Sequence, residues 1–123
     1  MELRILPFAL SVVRLEPDQA IPDWVHQCRF FSVTRTDDEL SIFCESGPAQ
    51  DSEAAVHGWR AFRVVGQLDL DLTGILSALA MPLAAKQISI FSISTHDTDY
   101  IVLREANLAD ARDILERSGH IFI

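Results

Sequence analysis

Apolar and polar positions change period along this chain, and the changes mark out its elements. Phe8–Leu15 (FALSVVRL) and Trp59–Val65 (WRAFRVV) are rich in β-branched and aromatic residues and are followed by turn formers, so each predicts a strand. Phe30–Thr36 and Leu40–Cys44 predict a hairpin turning at Asp37-Asp38. Ile88–Ser94 and Tyr100–Arg104 predict a second, turning around His96 to Asp99, and both turns hold the Asp and Thr that bond locally. Between strand and hairpin in the second half, Leu72, Ile75, Leu76, Leu79 and Leu83 recur at spacings of three and four. They predict a helix with one buried stripe whose last turn Pro82 bends. Another helix is expected from the cap candidate Asn107, with Asp110 in its first turn, Leu108, Ala111, Ile114 and Leu115 buried, and a stop at Gly119. His120–Ile123 predicts a closing strand. The first half follows the same plan in weaker form, with Pro22–Gln27 a short helix, Asp51–His57 a second, and Leu3–Leu6 an extra edge strand.

That plan is doubled in the letters themselves. Ala20–Glu45 aligns without a gap on Ala80–Glu105, sixty positions on, with identities at Ala20/Ala80, Pro22/Pro82, Gln27/Gln87, Phe31/Phe91, Ser32/Ser92, Asp37/Asp97 and Glu45/Glu105. A one-residue slip would exchange buried and wet faces of a strand, so a gapless repeat predicts one supersecondary unit used twice in the same register. The order in each copy is strand, helix, strand, strand, helix, strand. The copies divide the chain at 1–58 and 59–123.

With 123 residues, 49% of them hydrophobic, the chain can bury a core, though each half alone would be marginal. Ten Lys and Arg against eighteen Asp and Glu leave a formal charge of −8, which argues against a nucleic-acid partner. The longest apolar stretch, Ile75–Ala85, is too short for a bilayer and holds Pro82, so no membrane partner is expected and the reading is cytoplasmic. Cys28 and Cys44 form no C-x-x-C pair and read as reduced core thiols; no metal or other cofactor is implied.

The chemistry concentrates at two places. In Asp71-Leu72-Thr73-Gly74-Ile75 a helix begins, and the amides of Gly74 and Ile75 could receive a ligand carboxylate. The alternative is that Asp71 or Thr73 caps the helix and Gly74 serves packing. In the hairpin turn Ser94-Thr95-His96-Asp97-Thr98-Asp99, a carboxylate could take an amine or a cationic side chain while carbonyls near Ile93 accept from an ammonium. The alternative is a solvated turn, which is the better reading of Asp97, since Asp37 matches it in the half without a glycine loop. Ser94, His96 and Asp97 are the residue types of a hydrolytic triad, but crowding in one turn is not the convergence a triad needs. No catalytic residue is assigned. Glu16-Pro17-Asp18-Gln19-Ala20 replaces the glycine loop in the first half, so one ligand per chain is expected, or two across a symmetric dimer.

A βαββαβ unit in tandem, the stretch Leu70-Asp71-Leu72-Thr73-Gly74-Ile75-Leu76 and the hairpin from Ile90 to Leu103 together resemble the ACT domain. The likeness extends to small bacterial two-ACT proteins, CASTOR-type arginine sensors and the regulatory region of aspartate kinases. The resemblance implies an α+β fold of two ferredoxin-like half-units, antiparallel sheets with helices on one face. It implies a homodimeric, non-catalytic regulator that binds an amino acid where half-units or subunits meet. Thr73, Gly74 and Ile75 would dock the carboxylate, and Asp99, with Thr95 in support, would match the aspartate that holds the guanidinium in the arginine sensors. The competing expectation is a homodimeric interaction module with an empty site.

Overall fold

The computed structural model describes all of residues 1–123. Its elements are β1 (Glu2–Ile5), β2 (Leu10–Leu15), a 3-10 helix (Asp23–Gln27), β3 (Phe31–Arg35), β4 (Leu40–Glu45), β5 (Ala55–Val64), α1 (Ile75–Ala85), β6 (Ile90–Ser94), β7 (Asp99–Arg104), α2 (Leu108–Arg117) and β8 (Ile121–Phe122). They fall into two compact units, Phe8–Trp59 and Met1–Pro7 with Arg60–Ile123, so β5 gives its first half to one and its second half to the other. The class is α+β, as expected.

In the Phe8–Trp59 unit the strand order is β3-β4-β2-β5, all antiparallel. Leu40, Ile42 and Cys44 alternate inward along β4 and meet Val13, Val25, Cys28 and Ala49 in one core. The second helix expected over Asp51–His57 is absent. Gly47 and Pro48 favour a series of tight turns, in which Ala49, Gln50 and Ser52 bond back three residues. From Ala55 the chain then pairs with β2. That ladder shifts register between Leu10 and Val12, and opposite the shift Gly58 takes φ +92, a left-handed conformation that glycine adopts without strain. The buried Ser11 hydroxyl there bonds His57 Nδ1 at 2.6 Å and Ser46 Oγ at 2.7 Å.

In the other unit the order is β6-β7-β5-β1-β8. β5-α1-β6-β7-α2-β8 is the βαββαβ path, and β1 lies between its first and last strands, antiparallel to β5 and parallel to β8. Leu3–Leu6 was expected as an edge strand. It is interior, because Leu3, fully buried, completes the core between Phe62 and the helices. Both helices cover one face, placing Leu79, Leu83, Ala111 and Leu115 on Leu3, Phe62, Val64, Ile101 and Leu103. The stripe expected on α1 is only half buried: Leu72 precedes the helix and Leu72 and Leu76 are exposed. Asn107 makes no side-chain cap, since a 3-10 turn (Glu105–Asn107) runs straight into α2. Gly119, at φ +97, ends α2 where expected, and the His120 amide bonds back to the Leu115 carbonyl.

The repeat is real, but its register is fifty-nine, not sixty. Phe31↔Cys44 through Arg35↔Leu40 in one hairpin match Ile90↔Leu103 through Ser94↔Asp99 in the other. The turns obey the same offset: the Thr36 amide bonds the Glu39 carbonyl at 2.9 Å, and the Thr95 amide bonds the Thr98 carbonyl at 2.9 Å. The structural equivalent of Asp99 is therefore Leu40, and that of Ser94 is Arg35.

Candidate functional site

The Met1–Pro7 and Arg60–Ile123 unit has a cleft of about 350 Å³ between the loop entering α1 and the turn joining β6 to β7. Leu68, Asp69, Leu70, Leu72, Gly74, Ile75 and Leu76 form one wall, and Ser94 through Asp99 the other. Two bonds tie the walls at their base. The Leu68 amide donates to the Asp97 carbonyl at 2.6 Å, and the buried Thr98 hydroxyl donates to the Val64 carbonyl at 2.7 Å.

At the first wall α1 begins without a cap. Gly74 stands in the left-handed region, φ +79, and no side chain accepts from the first amides of the helix. Neither Asp71 nor Thr73 takes the capping role open to it: Gly74 is the N-cap residue and no hydrogen bond joins either side chain to an amide of α1; the Asp71 amide is itself held by Asp69 Oδ1 at 2.9 Å. The amides of Ile75, Leu76 and Ser77 thus carry the positive end of the helix dipole, with no acidic residue in the first turn to offset it. Nothing lies within 4 Å of where a Cβ would stand on Gly74, so the glycine answers to its backbone angle rather than to a crowded packing contact.

At the second wall stands Asp99. Its ladder position shares a face with Ile101 and Leu103, which are fully buried, and the equivalent Leu40 is fully buried too. A carboxylate therefore occupies a position that packing alone would give to an apolar side chain. It is held by one bond, from Ser94 Oγ to Oδ1 at 2.6 Å. Thr95 is less free: its hydroxyl donates to the Thr98 carbonyl at 3.1 Å and accepts from the Thr98 amide at 3.3 Å, just as Thr36 closes the other turn. His96 Nδ1 pairs with Asp97 Oδ1 at 2.8 Å, while Ser94 is bonded to Asp99, so no serine–histidine pair forms.

Of the residues singled out in the sequence, Gly74, Ile75, Thr95 and Asp99 line the cleft; Asp71, Thr73 and Ile93 do not. Ser94 was not singled out as a binding residue. Its one signal was its place as the last residue of β6, the cross-strand partner of Asp99. Asp69, Asp97 and Asp99 give the lining three carboxylates and no Lys or Arg.

A βαββαβ unit with helices on one sheet face, opening an uncapped helix onto a cleft of this size, is a ferredoxin-like α+β domain. The model of the ACT domain matches residues 54–117, just over half of the chain, and the chain belongs to that family. A second model, of an N-terminal domain, matches residues 9–48. The crystal structure of protein Atu0741 from Agobacterium tumefaciens is similar over 99% of this chain and 91% of that one, at 36% identity and a TM-score of 0.91. The cytosolic arginine sensor for mTORC1 subunit 1 of Rattus norvegicus is 27% identical over 106 residues, covering 78% of this chain and 32% of that protein. The chain thus spans about a third of the length of this curated relative. The regulatory subunit of aspartate kinase from Thermus thermophilus, in its ligand-free form, shares the fold at 10% identity and a TM-score of 0.68, over 94% of this chain and 96% of that one. No helix is long and apolar enough to cross a membrane.

Proposed function

We propose that this chain is a non-catalytic regulatory protein that binds a free amino acid in the cleft. The observation that carries the reading is one cleft lined on one wall by the start of α1, whose first amides have no side-chain partner, and on the other by the half-buried Asp99, at the strand position that Leu40 fills in the other hairpin. The ligand carboxylate docks on the amides of Ile75 and its successors, with Gly74 leaving the approach open. Asp99, oriented by Ser94, takes the ammonium or a cationic side chain. The acidic lining favours a cationic amino acid, and relatives named as arginine sensors make L-arginine the first probe. Thr95 supports the site by holding its turn, and Asp71, Thr73 and Ile93 act through the backbone that carries Gly74 and Asp99. Binding regulates by favouring one arrangement of the protein over another.

A thermal-shift screen of the twenty amino acids tests this. At a hundred times its dissociation constant a ligand adds about 2.7 kcal/mol, which is several degrees. Gly74→Asp and Asp99→Asn should each abolish the shift. Silence of the wild type toward every amino acid would sink the reading.

A second reading has its own observation. Leu70, Leu72 and Leu76, on the rim of the cleft, are 69%, 53% and 38% exposed. Such a rim suits a homodimeric interaction module whose cleft stays empty. Sedimentation that shows a dimer broken by Leu70→Glu, together with indifference to amino acids, would favour it.

A further inference from the structure

The first unit has a counterpart of the cleft, and it is not vacant. With the fifty-nine-residue register, Arg35 stands where Ser94 stands, and both end their strand on the core-facing side: Val33 packs on one core and Ile90 on the other. The loop from Glu16 to Ala20 enters the 3-10 helix as the loop from Asp69 to Gly74 enters α1. Arg35 reaches across to that loop, Nη1 donating to the Pro17 carbonyl and Nη2 to the Gln19 carbonyl, the latter at 2.9 Å. The loop is built to present those carbonyls. The Gln19 amide bonds the Glu16 carbonyl at 3.1 Å, and Gln19 Oε1 accepts from the Glu16 amide at 2.7 Å. Two outward carbonyls suit the two parallel N–H groups of a planar guanidinium and offer nothing to an anion.

We propose that Arg35 is the resident occupant of a guanidinium site in the Phe8–Trp59 unit, a tethered side chain bridging strand and loop where the other unit leaves a cleft open. Removing the side chain leaves a site for a free monoalkylguanidinium, and while the side chain is present this unit takes no ligand. The parallel between the two corners rests on the cleft being a ligand site; the Arg35 contact itself does not.

The test is chemical rescue in the full-length chain. Arg35→Ala should melt about 3 °C below the wild type. Titration with n-propylguanidinium should restore most of that loss in a saturable way, n-propylammonium should not, and neither should raise the wild type. Arg35→Lys, which keeps charge but loses the planar pair of donors, should fall between. An unchanged melting temperature in Arg35→Ala, equal rescue by the ammonium, or an equal rise in the wild type would each overturn the proposal. If Arg35→Ala fails to fold, Arg35→Gln takes its place, read by hydrogen exchange at the Gln19 amide, which should quicken and then slow again with the guanidinium; no change counts against it. Repeating the rescue with Asp99→Asn separates the two readings. Rescue that persists there stands even if the cleft binds no amino acid; rescue that is lost there would overturn the proposal, and the amino-acid shift is read separately in the chain with Asp99 intact.

Discussion

The β3–β4 and β6–β7 hairpins share strand lengths, ladder and threonine-closed turn, yet differ at the one cross-strand pair beside the turn: Arg35 and Leu40 in the first, Ser94 and Asp99 in the second. In the first hairpin the leucine completes a core and the arginine ties down the neighbouring loop. In the second a short serine and a half-buried carboxylate leave that corner open. Withholding a leucine and placing a charge instead costs stability that the rest of the unit, with its two helices, can supply. The cleft is thus a corner of core left unbuilt, which is how one scaffold can be tied down in one copy and left open in the other.

Exchanging the residues at this pair is the strongest way to break the comparison. Leu40→Asp puts a carboxylate in a fully buried position and should cost about 3–5 kcal/mol, a large share of an ordinary domain's stability. Asp99→Leu should keep or raise the melting temperature while removing any amino-acid shift. Urea melts of the two variants check this; equal losses would mean that the cleft does not distinguish the positions.

Why the sequence suggests sixty where the backbone uses fifty-nine follows from β7. Along β4 the buried positions alternate, Leu40, Ile42, Cys44, and alternation pins a register. Along β7, Ile101, Val102 and Leu103 are all buried, so the run is apolar on both faces and carries no period of two. Identities such as Phe31/Phe91 then decide the alignment, although both phenylalanines are surface residues, 44% and 45% exposed. The threonines that close the turns, Thr36 and Thr95, were the better markers. Elements and hairpins were legible because their patterning is local; that Gly74 and Asp99 line one cleft followed for Gly74 from the helix start it marks and for Asp99 from the family likeness. The place of β1 was not, since a four-residue strand says nothing of its neighbours. Nor was the missing helix after β4, since Val56 and His57 take their conformation from pairing with β2 and from the bulge at Gly58.

The loops differ next. Gly74→Ala keeps open space around its Cβ but forces an L residue to φ +79, which should cost about 1–2 kcal/mol. Gly47→Ala, equally uncrowded and without a positive φ, should cost less than about 0.5 kcal/mol. Matched thermal melts of the pair read the backbone term alone; a Gly74→Ala variant as stable as Gly47→Ala would show that the left-handed start of α1 is not required.

The smallest contrast is in acid. Arg29 bonds both carboxylate oxygens of Glu45, through its amide and its guanidinium, and holds that carboxyl below its ordinary 4.5. Burial, then the nearby N-terminal ammonium, pushes His120 below its ordinary 6.5. In both cases the unfolded chain binds the proton more readily, so stability rises with pH between the folded and ordinary values. The windows differ. The His120 contribution is complete above 6.5 and lost as pH falls through its depressed value, whereas the Glu45 contribution is complete above 4.5 and is lost only as pH falls below that. Urea midpoints followed downward from pH 7 should therefore fall first through the Met1–Pro7 and Arg60–Ile123 unit and later through the Phe8–Trp59 unit. His120→Asn should flatten the first decline and leave the second, and Glu45→Gln should do the reverse. A single decline insensitive to His120→Asn would show that this imidazole meets the same surroundings in the folded and unfolded chain.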